Sequence, residues 1–134
     1  MHNYLAKLER NILDNRVMTQ NEKDLLLKDL CTRLPYGVKV EYENEIFDVE
    51  HVCPMYEEVK LDIPETWTVG VEEIKPYLFP LSSMTEEQRL EYYETFCLSG
   101  DISGSVDFYN KYHLDYRGLI PIGLAYDATG LNIY

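Results

Sequence analysis

The spacing of apolar residues changes near Pro35 and Gly37, and this change decides which fold class the chain can adopt. Before it, leucines recur at the three- and four-residue spacing of an amphipathic helix. After it, from Val38 onward, apolar and charged residues alternate, which is typical of half-buried strands. We therefore expect an α+β fold in a single domain, residues 1–134, which suits a chain of 134 residues.

The N-terminal part is expected to be helical. Residues 19–34 form the better marked helix, because Thr19 and Glu22 fit a capping box and Pro35 with Gly37 ends the helical pattern. Residues 1–18 also show apolar residues at helical spacing, and we interpret them as a helical extension.

Residues 38–73 are predicted to form a small, mostly antiparallel sheet of about four strands. The strands fall near residues 38–42, 46–53, 59–63 and 67–71, with a turn at Glu43-Asn44-Glu45 between the first two. Residues 74–83 contain Pro76 and Pro80 and are interpreted as an extended connector.

Residues 84–134 are predicted to be a mainly helical C-terminal part containing a helix pair. Ser83 or Thr85 caps the first helix, and the second spans about 105–112. The tail is expected to be irregular or to add one short strand. The inner face of the first helix is expected to consist of Leu90, Tyr93, Phe96 and Cys97.

The predicted sheet is unusually acidic. Between Glu41 and Glu73 there are eleven acidic residues and one basic residue, Lys60. Several of the acidic residues alternate with apolar residues, so we expect them to share the outer face of the sheet. Like charges on one sheet face repel one another, so a face that keeps them either binds a partner or only solubilises the protein. The candidate partner-binding residues are Glu41, Glu43, Glu45, Glu50, Glu57 and Glu58, with two tyrosines, Tyr42 and Tyr92.

Tyrosine is also frequent, with twelve residues in the chain. Tyrosine supplies large contact area and a polar hydroxyl, and it stacks on nucleobases. Arg117 is the preferred candidate for an anion contact. An alternative site for a small ligand therefore consists of Arg117, Tyr116 and Tyr36.

Composition and motifs argue against several function classes. The formal charge of −12 disfavours direct nucleic-acid binding, which requires clustered Lys and Arg. No stretch is long and apolar enough for a membrane span, and Cys31, Cys53 and Cys97 do not form a disulfide pattern, so we expect reduced thiols in or near the core of a cytoplasmic protein. No pattern indicates a cofactor, a metal site or a catalytic group, and we expect a non-enzymatic protein.

Three blocks of the sequence resemble a family of small proteins found in phages and mobile elements of gut bacteria. The blocks are Leu30–Val38, Ile74–Glu87 and Asp115–Ile120, and the resemblance spans about residues 19–126. It implies an accessory protein of the host cytoplasm and brings no catalytic residues.

Together, these observations favour an anti-defence inhibitor, similar in role to anti-CRISPR proteins. Its acidic surface would bind the basic groove of a nucleic-acid-acting host protein. The alternative is a small-molecule sponge that sequesters a nucleotide immune signal in a tyrosine-lined pocket. Self-association of the chain is left open.

Overall fold

The computed structural model describes residues 17–63, 68–100 and 104–134. The described residues have an α+β fold and divide into two compact units, the first ending at Pro76 and the second spanning Tyr77–Tyr134. The expected helix within residues 1–18 lies outside the described residues, except for Val17 and Met18, which precede the first described helix without belonging to it.

Helix α1 spans Gln20–Arg33 and begins as predicted. The Thr19 hydroxyl accepts a hydrogen bond from the Glu22 amide at 3.1 Å, and the Glu22 carboxylate accepts one from the Thr19 amide at 2.9 Å. This capping box satisfies amides that have no partner within the helix. Helix α1 is followed by a 3-10 turn, Leu34–Tyr36, and by Gly37 at φ +84°.

The sheet has seven strands among the described residues instead of about four, and four of them lie near the predicted places in the first unit. They are β1 (Lys39–Tyr42), β2 (Glu45–Cys53), β3 (Glu58–Leu61) and β4 (Val69–Gly70). They pair antiparallel in the order β4-β3-β2-β1. Residues 64–67, between β3 and β4, lie outside the described part.

A further strand, β5 (Lys75–Pro80), occupies the segment predicted to be a connector. It pairs antiparallel with β1, with Val40 opposite Pro76. The prolines concealed this strand because proline lacks the amide that a sheet uses and so usually indicates a break. The alternating burial of Ile74, Pro76 and Leu78 is nevertheless that of a strand.

Strand β5 belongs to the second unit from Tyr77 onward. There it pairs in parallel with two short strands, β6 (Leu114–Asp115) and β7 (Tyr126–Asp127).

The predicted C-terminal helix pair is present. Helix α2 spans Glu86–Tyr92 with the capping box Thr85–Gln88 and continues into a π-helical turn, Tyr93–Cys97, and helix α3 spans Ser105–Lys111. No described helix is long and apolar enough to cross a membrane.

Each unit has its own buried apolar residues. In the first unit the leucines of α1 share a core with the inward valines of the sheet: Leu26, Leu27, Leu30, Val38, Val40, Val49, Val59, Leu61, Val69, Val71 and Ile74. In the second unit the buried residues come from β5, α3, β6 and the C-terminal loops: Leu78, Phe108, Leu114, Leu119, Leu124, Ala125 and Ala128.

Two predictions about the core are wrong. Cys31 and Cys97 are exposed, and Cys53 is half-buried, so the thiols do not form part of the core. The inner face of α2 is also different, because Leu90 and Tyr93 are exposed. Phe96 lies on the inner face as predicted, but its neighbour there is Tyr92, and both rings contact Phe108.

Candidate partner-binding surface

The outer face of the first-unit sheet is the side opposite the buried valines, and it does not consist of acidic residues alone. Cross-strand register places Lys39 opposite Asp48 and Glu41 opposite Lys75. Lys39 Nζ lies 2.9 Å from the Asp48 carboxylate. Lys39 and Lys75 lie just outside the acidic segment in the sequence, but strand pairing places them opposite its acidic residues, and they offset part of its charge.

Glu50 lies where β2 has a register shift, next to the pair formed by His51 and Lys60. Its carboxylate is 2.8 Å from Lys60 Nζ, so this candidate is engaged by the one base of the acidic segment. Both side chains are partly exposed, and an exposed pair of this kind contributes at most about 1 kcal/mol to stability.

Glu57 and Glu58 follow the 3-10 turn Pro54–Tyr56 and have different environments. Glu57 has left-handed backbone at φ 55°, lies 3.8 Å from Lys23 Nζ and accepts a hydrogen bond from Gln20, so it ties the turn to α1. Glu58 is half-buried in β3 opposite Cys53. Glu57 is therefore a structural contact within the first unit.

The β1–β2 hairpin tip is defined here as Glu43, Asn44 and Glu45. Glu43 and Asn44 both have positive φ, 51° and 69°, as a tight two-residue hairpin turn requires. The Glu41 carboxylate accepts a hydrogen bond from the Asn44 amide at 2.7 Å, and Glu41 is only 9% exposed. Glu41 therefore holds the turn, Glu43 is its first residue, and Glu45 directly follows it.

The expectation that these acids share one sheet face is wrong for Glu45. Because the turn has two residues, Glu45 pairs with Tyr42, on the side that also bears Val40. The Tyr42 ring is half-buried and lies 6.3 Å from the Phe47 ring. The acids therefore cluster at the end of the hairpin instead of forming one continuous stripe.

The second unit brings together candidates from two separate sequence-based hypotheses. Tyr92 stacks on Tyr109 with ring centroids 5.7 Å apart, and Tyr109 stacks on Tyr116 at 5.3 Å. The Arg117 guanidinium lies over the Tyr116 ring at 4.8 Å and donates a hydrogen bond to its hydroxyl at 3.0 Å. We call Tyr92, Tyr109, Tyr116 and Arg117 the tyrosine stack.

Tyr109 is the member of the stack that sequence reasoning missed. Burial, together with a hydrogen bond to Tyr92, raises its pKa to about 12. The spacing of Tyr109 from Phe108 and Tyr112 on one short helix was the available signal. The rings contact one another, which is the behaviour of a small aromatic core.

Asp115, which precedes Tyr116, and the remaining candidate, Tyr36, have structural surroundings of their own. The buried Asp115 carboxylate accepts hydrogen bonds from the amides of Leu119 and Ile120, at 2.8 and 2.9 Å, and so fixes the loop after β6. Tyr36 belongs to the first unit, in the 3-10 turn after α1, and is exposed.

Two charged groups of α1 were also missed. Asp29 and Arg33 are fully buried and form an ion pair at 2.7 Å. Their four-residue spacing on the leucine face was the signal, because charges at that spacing meet on one side of a helix.

Among the described residues, no group of three or more His, Cys, Asp or Glu side chains is arranged to hold a metal ion.

Comparison with known proteins gives no match: no family model, no curated protein and no solved structure is similar to this chain. A function is therefore inferred from the geometry of the described residues and from the sequence itself.

Proposed function

We propose that this chain is a non-enzymatic binding protein that attaches to a basic, nucleic-acid-binding groove of a host defence protein through its acidic hairpin tip. In this proposal it is an accessory protein of a phage or mobile element, and occupation of the groove inhibits the host protein. The resemblance in three sequence blocks supplies the setting. The surface chemistry of the first unit supplies the mode of binding.

The observation that supports this proposal best is the backbone of Glu43. Asparagine and glycine are the usual occupants of a tight turn with positive φ, and a residue such as glutamate adopts this conformation at an energetic disadvantage. Strained positions of this kind are concentrated at functional sites. A glutamate at φ 51° beside exposed Glu45 therefore favours selection for charge at the tip over selection for stability.

The tip is also preorganised for binding. The Glu41–Asn44 hydrogen bond and the β1–β2 pairing hold the turn in one conformation. Less conformational entropy is then lost when the carboxylates meet a partner. Carboxylates held in this way would compete with phosphate oxygens for arginine and lysine side chains.

A competition experiment tests the proposal. Purified bacterial defence nucleases, including a guide-loaded nuclease of the Cas9 type, are measured for target-DNA binding in the presence of increasing protein. We expect inhibition of one nuclease, and Glu43→Gln/Glu45→Gln should raise the required concentration about tenfold or more. The matched control is Glu72→Gln/Asp107→Asn, which removes the same charge at two exposed positions outside the hairpin tip.

Two outcomes would contradict the proposal. If the hairpin pair and the control pair weaken inhibition equally, net charge alone is responsible. If no nuclease loses DNA binding in the presence of the wild-type protein, the partner class is wrong.

A second candidate function, sequestration of a nucleotide signal, is favoured by the contact between Arg117 and Tyr116. A guanidinium beside an aromatic ring suits a phosphate and a base. In this case cyclic dinucleotides should raise the melting temperature, and Arg117→Lys should reduce the shift. An unchanged melting temperature with a panel of such nucleotides would remove this candidate.

A further inference from the structure

Helix α2 and its π-helical turn have apolar side chains on two opposite sides. On the inner side, Tyr92 and Phe96 contact Phe108. On the outer side, Leu90 is 56% exposed, Tyr93 53% and Leu98 65%. A helix at the surface of a domain usually has one apolar side, which faces the core, so this second apolar side is a surface left uncovered by the described residues of the second unit.

The outer residues follow the spacing of a docking face. Leu90, Tyr93 and Leu98 lie three and then five residues apart, and exposed Cys97 lies between the last two. We call Leu90, Tyr93, Cys97 and Leu98 the outer stripe. Leu90 and Tyr93 share one side through their three-residue spacing, and the Leu98 amide donates a hydrogen bond to the Tyr93 carbonyl at 2.9 Å, which places Leu98 one π-helical turn after Tyr93. Apolar residues repeated along one side in this way are the pattern of helix-to-helix recognition.

The charges beside the stripe indicate what can cover it. The helix and its turn contain four acids, Glu86, Glu87, Glu91 and Glu94, and one base, Arg89. Glu91 is turned to the inner side, where it accepts a hydrogen bond from the Tyr112 hydroxyl at 2.6 Å. The outer stripe is therefore bordered by acidic residues on a protein of net charge −12.

A second copy of this chain is a poor match for the stripe. Two such helices would bring their acidic borders together, which opposes association. A partner helix with apolar anchors and basic flanks can contact the stripe with the anchors and pair with the acidic border through the flanks.

We propose that the outer stripe is a docking site for a basic amphipathic helix of a partner protein. The site lies in the second unit and does not rest on the function proposed for the hairpin tip. Leu90, Tyr93 and Leu98 contact the apolar side of the partner helix, and Glu86, Glu87 and Glu94 face its lysines or arginines.

The test uses a synthetic helical peptide of about 18 residues, with leucines on one side and lysines on the other. Its binding to the full chain is measured by fluorescence anisotropy. We expect Leu90→Ser/Leu98→Ser to raise Kd about tenfold or more, because anchor side chains supply most of the binding energy. The matched control is Leu81→Ser/Leu131→Ser, which removes two other exposed leucines of the same unit and should leave Kd unchanged.

A second peptide, with glutamate in place of lysine, should not bind measurably. Equal Kd values for the two leucine variants would overturn the proposal, since charge alone would then explain capture of the basic peptide. Equal binding of the basic and acidic peptides would also overturn it. So would a dimer of the wild-type chain in sedimentation equilibrium that Leu90→Ser/Leu98→Ser abolishes, because the occupant would then be a second copy.

Discussion

At the residue scale, the buried ion pair between Asp29 and Arg33 allows a direct test of what stabilises the fold. Both side chains are 0% exposed, and they lie 2.7 Å apart on adjacent turns of α1. A buried charge without its counterion retains its desolvation penalty. We therefore expect Asp29→Asn to lower the free energy of unfolding by about 3–5 kcal/mol in urea titrations.

The double variant Asp29→Leu/Arg33→Met is the control for this prediction. It removes both charges and keeps apolar volume, so it should lower the unfolding free energy by less than the single variant does. A double variant that is less stable than Asp29→Asn would show that the pair itself, and not the unpaired charge, is what matters.

The titration of Tyr109 offers a second test at this scale. Burial and the hydrogen bond with Tyr92 raise its pKa to about 12, above the usual value of 10.0. Ultraviolet titration of wild type and Tyr109→Phe should thus show one phenol ionising near pH 12 in the folded protein. Tyr92→Phe should lower that pKa, because it removes the hydrogen bond while leaving the ring in place.

The sign of the pH dependence is set by the direction of this shift. A raised pKa means that the folded state holds its proton more tightly than the unfolded state. The resulting stabilisation is fully present below pH 10 and is lost as the pH rises through about 12. A Tyr109 ionisation near pH 10 in the folded protein would contradict the packing of the tyrosine stack.

At the element scale, a single variant of the β1–β2 hairpin changes both the stability of the turn and the charge at its tip. Asn-Gly is the preferred sequence for a two-residue turn with positive φ at both positions. We expect Glu43→Asn/Asn44→Gly to raise the free energy of unfolding by about 1 kcal/mol, because it relieves the left-handed strain at Glu43.

The same variant should weaken partner binding, because it removes one of the two tip carboxylates. Chemical denaturation and the nuclease competition experiment measure the two effects on one protein sample. A variant that is more stable and binds equally well would contradict the assignment of the tip as the contact surface.

The helices and four strands could be predicted because their signals are local. The capping boxes at Thr19 and Thr85 and the alternation after Val38 each lie within a few residues. Strand β5 could not be predicted in this way, since Pro76 and Pro80 resemble a break until their pairing partners are known. Its partners β6 and β7 are two residues each, too short for any alternation.

Faces were harder to predict than elements. In α2, the pair Leu90 and Tyr93 and the pair Tyr92 and Phe96 both fit helical spacing, so periodicity alone does not choose the inner side. The choice depends on Phe108, which lies on a different helix. The lysines that offset part of the acidic segment were missed for a related reason, because Lys39 and Lys75 reach it only through cross-strand register.

At the scale of the whole molecule, the net charge of −12 sets the long-range electrostatic behaviour, and in our proposal the hairpin tip provides the contact. Long-range attraction to a basic partner accelerates encounter and weakens as salt screens it. A contact through particular carboxylates adds to the salt dependence of the affinity, and this addition is lost when those carboxylates are neutralised. Neutralising the tip carboxylates or an equal charge elsewhere separates the contribution of the contact from that of the net charge.

The measurement that tests the central claim most directly is the affinity for the inhibited nuclease at low and high salt. It compares wild type with Glu43→Gln/Glu45→Gln and the control Glu72→Gln/Asp107→Asn. We predict that wild-type affinity falls as salt rises, that the hairpin variant binds about tenfold more weakly at low salt with a reduced salt dependence, and that the control variant stays close to wild type. Identical salt dependence and affinity for the two variants would contradict the claim that the hairpin tip is the binding surface.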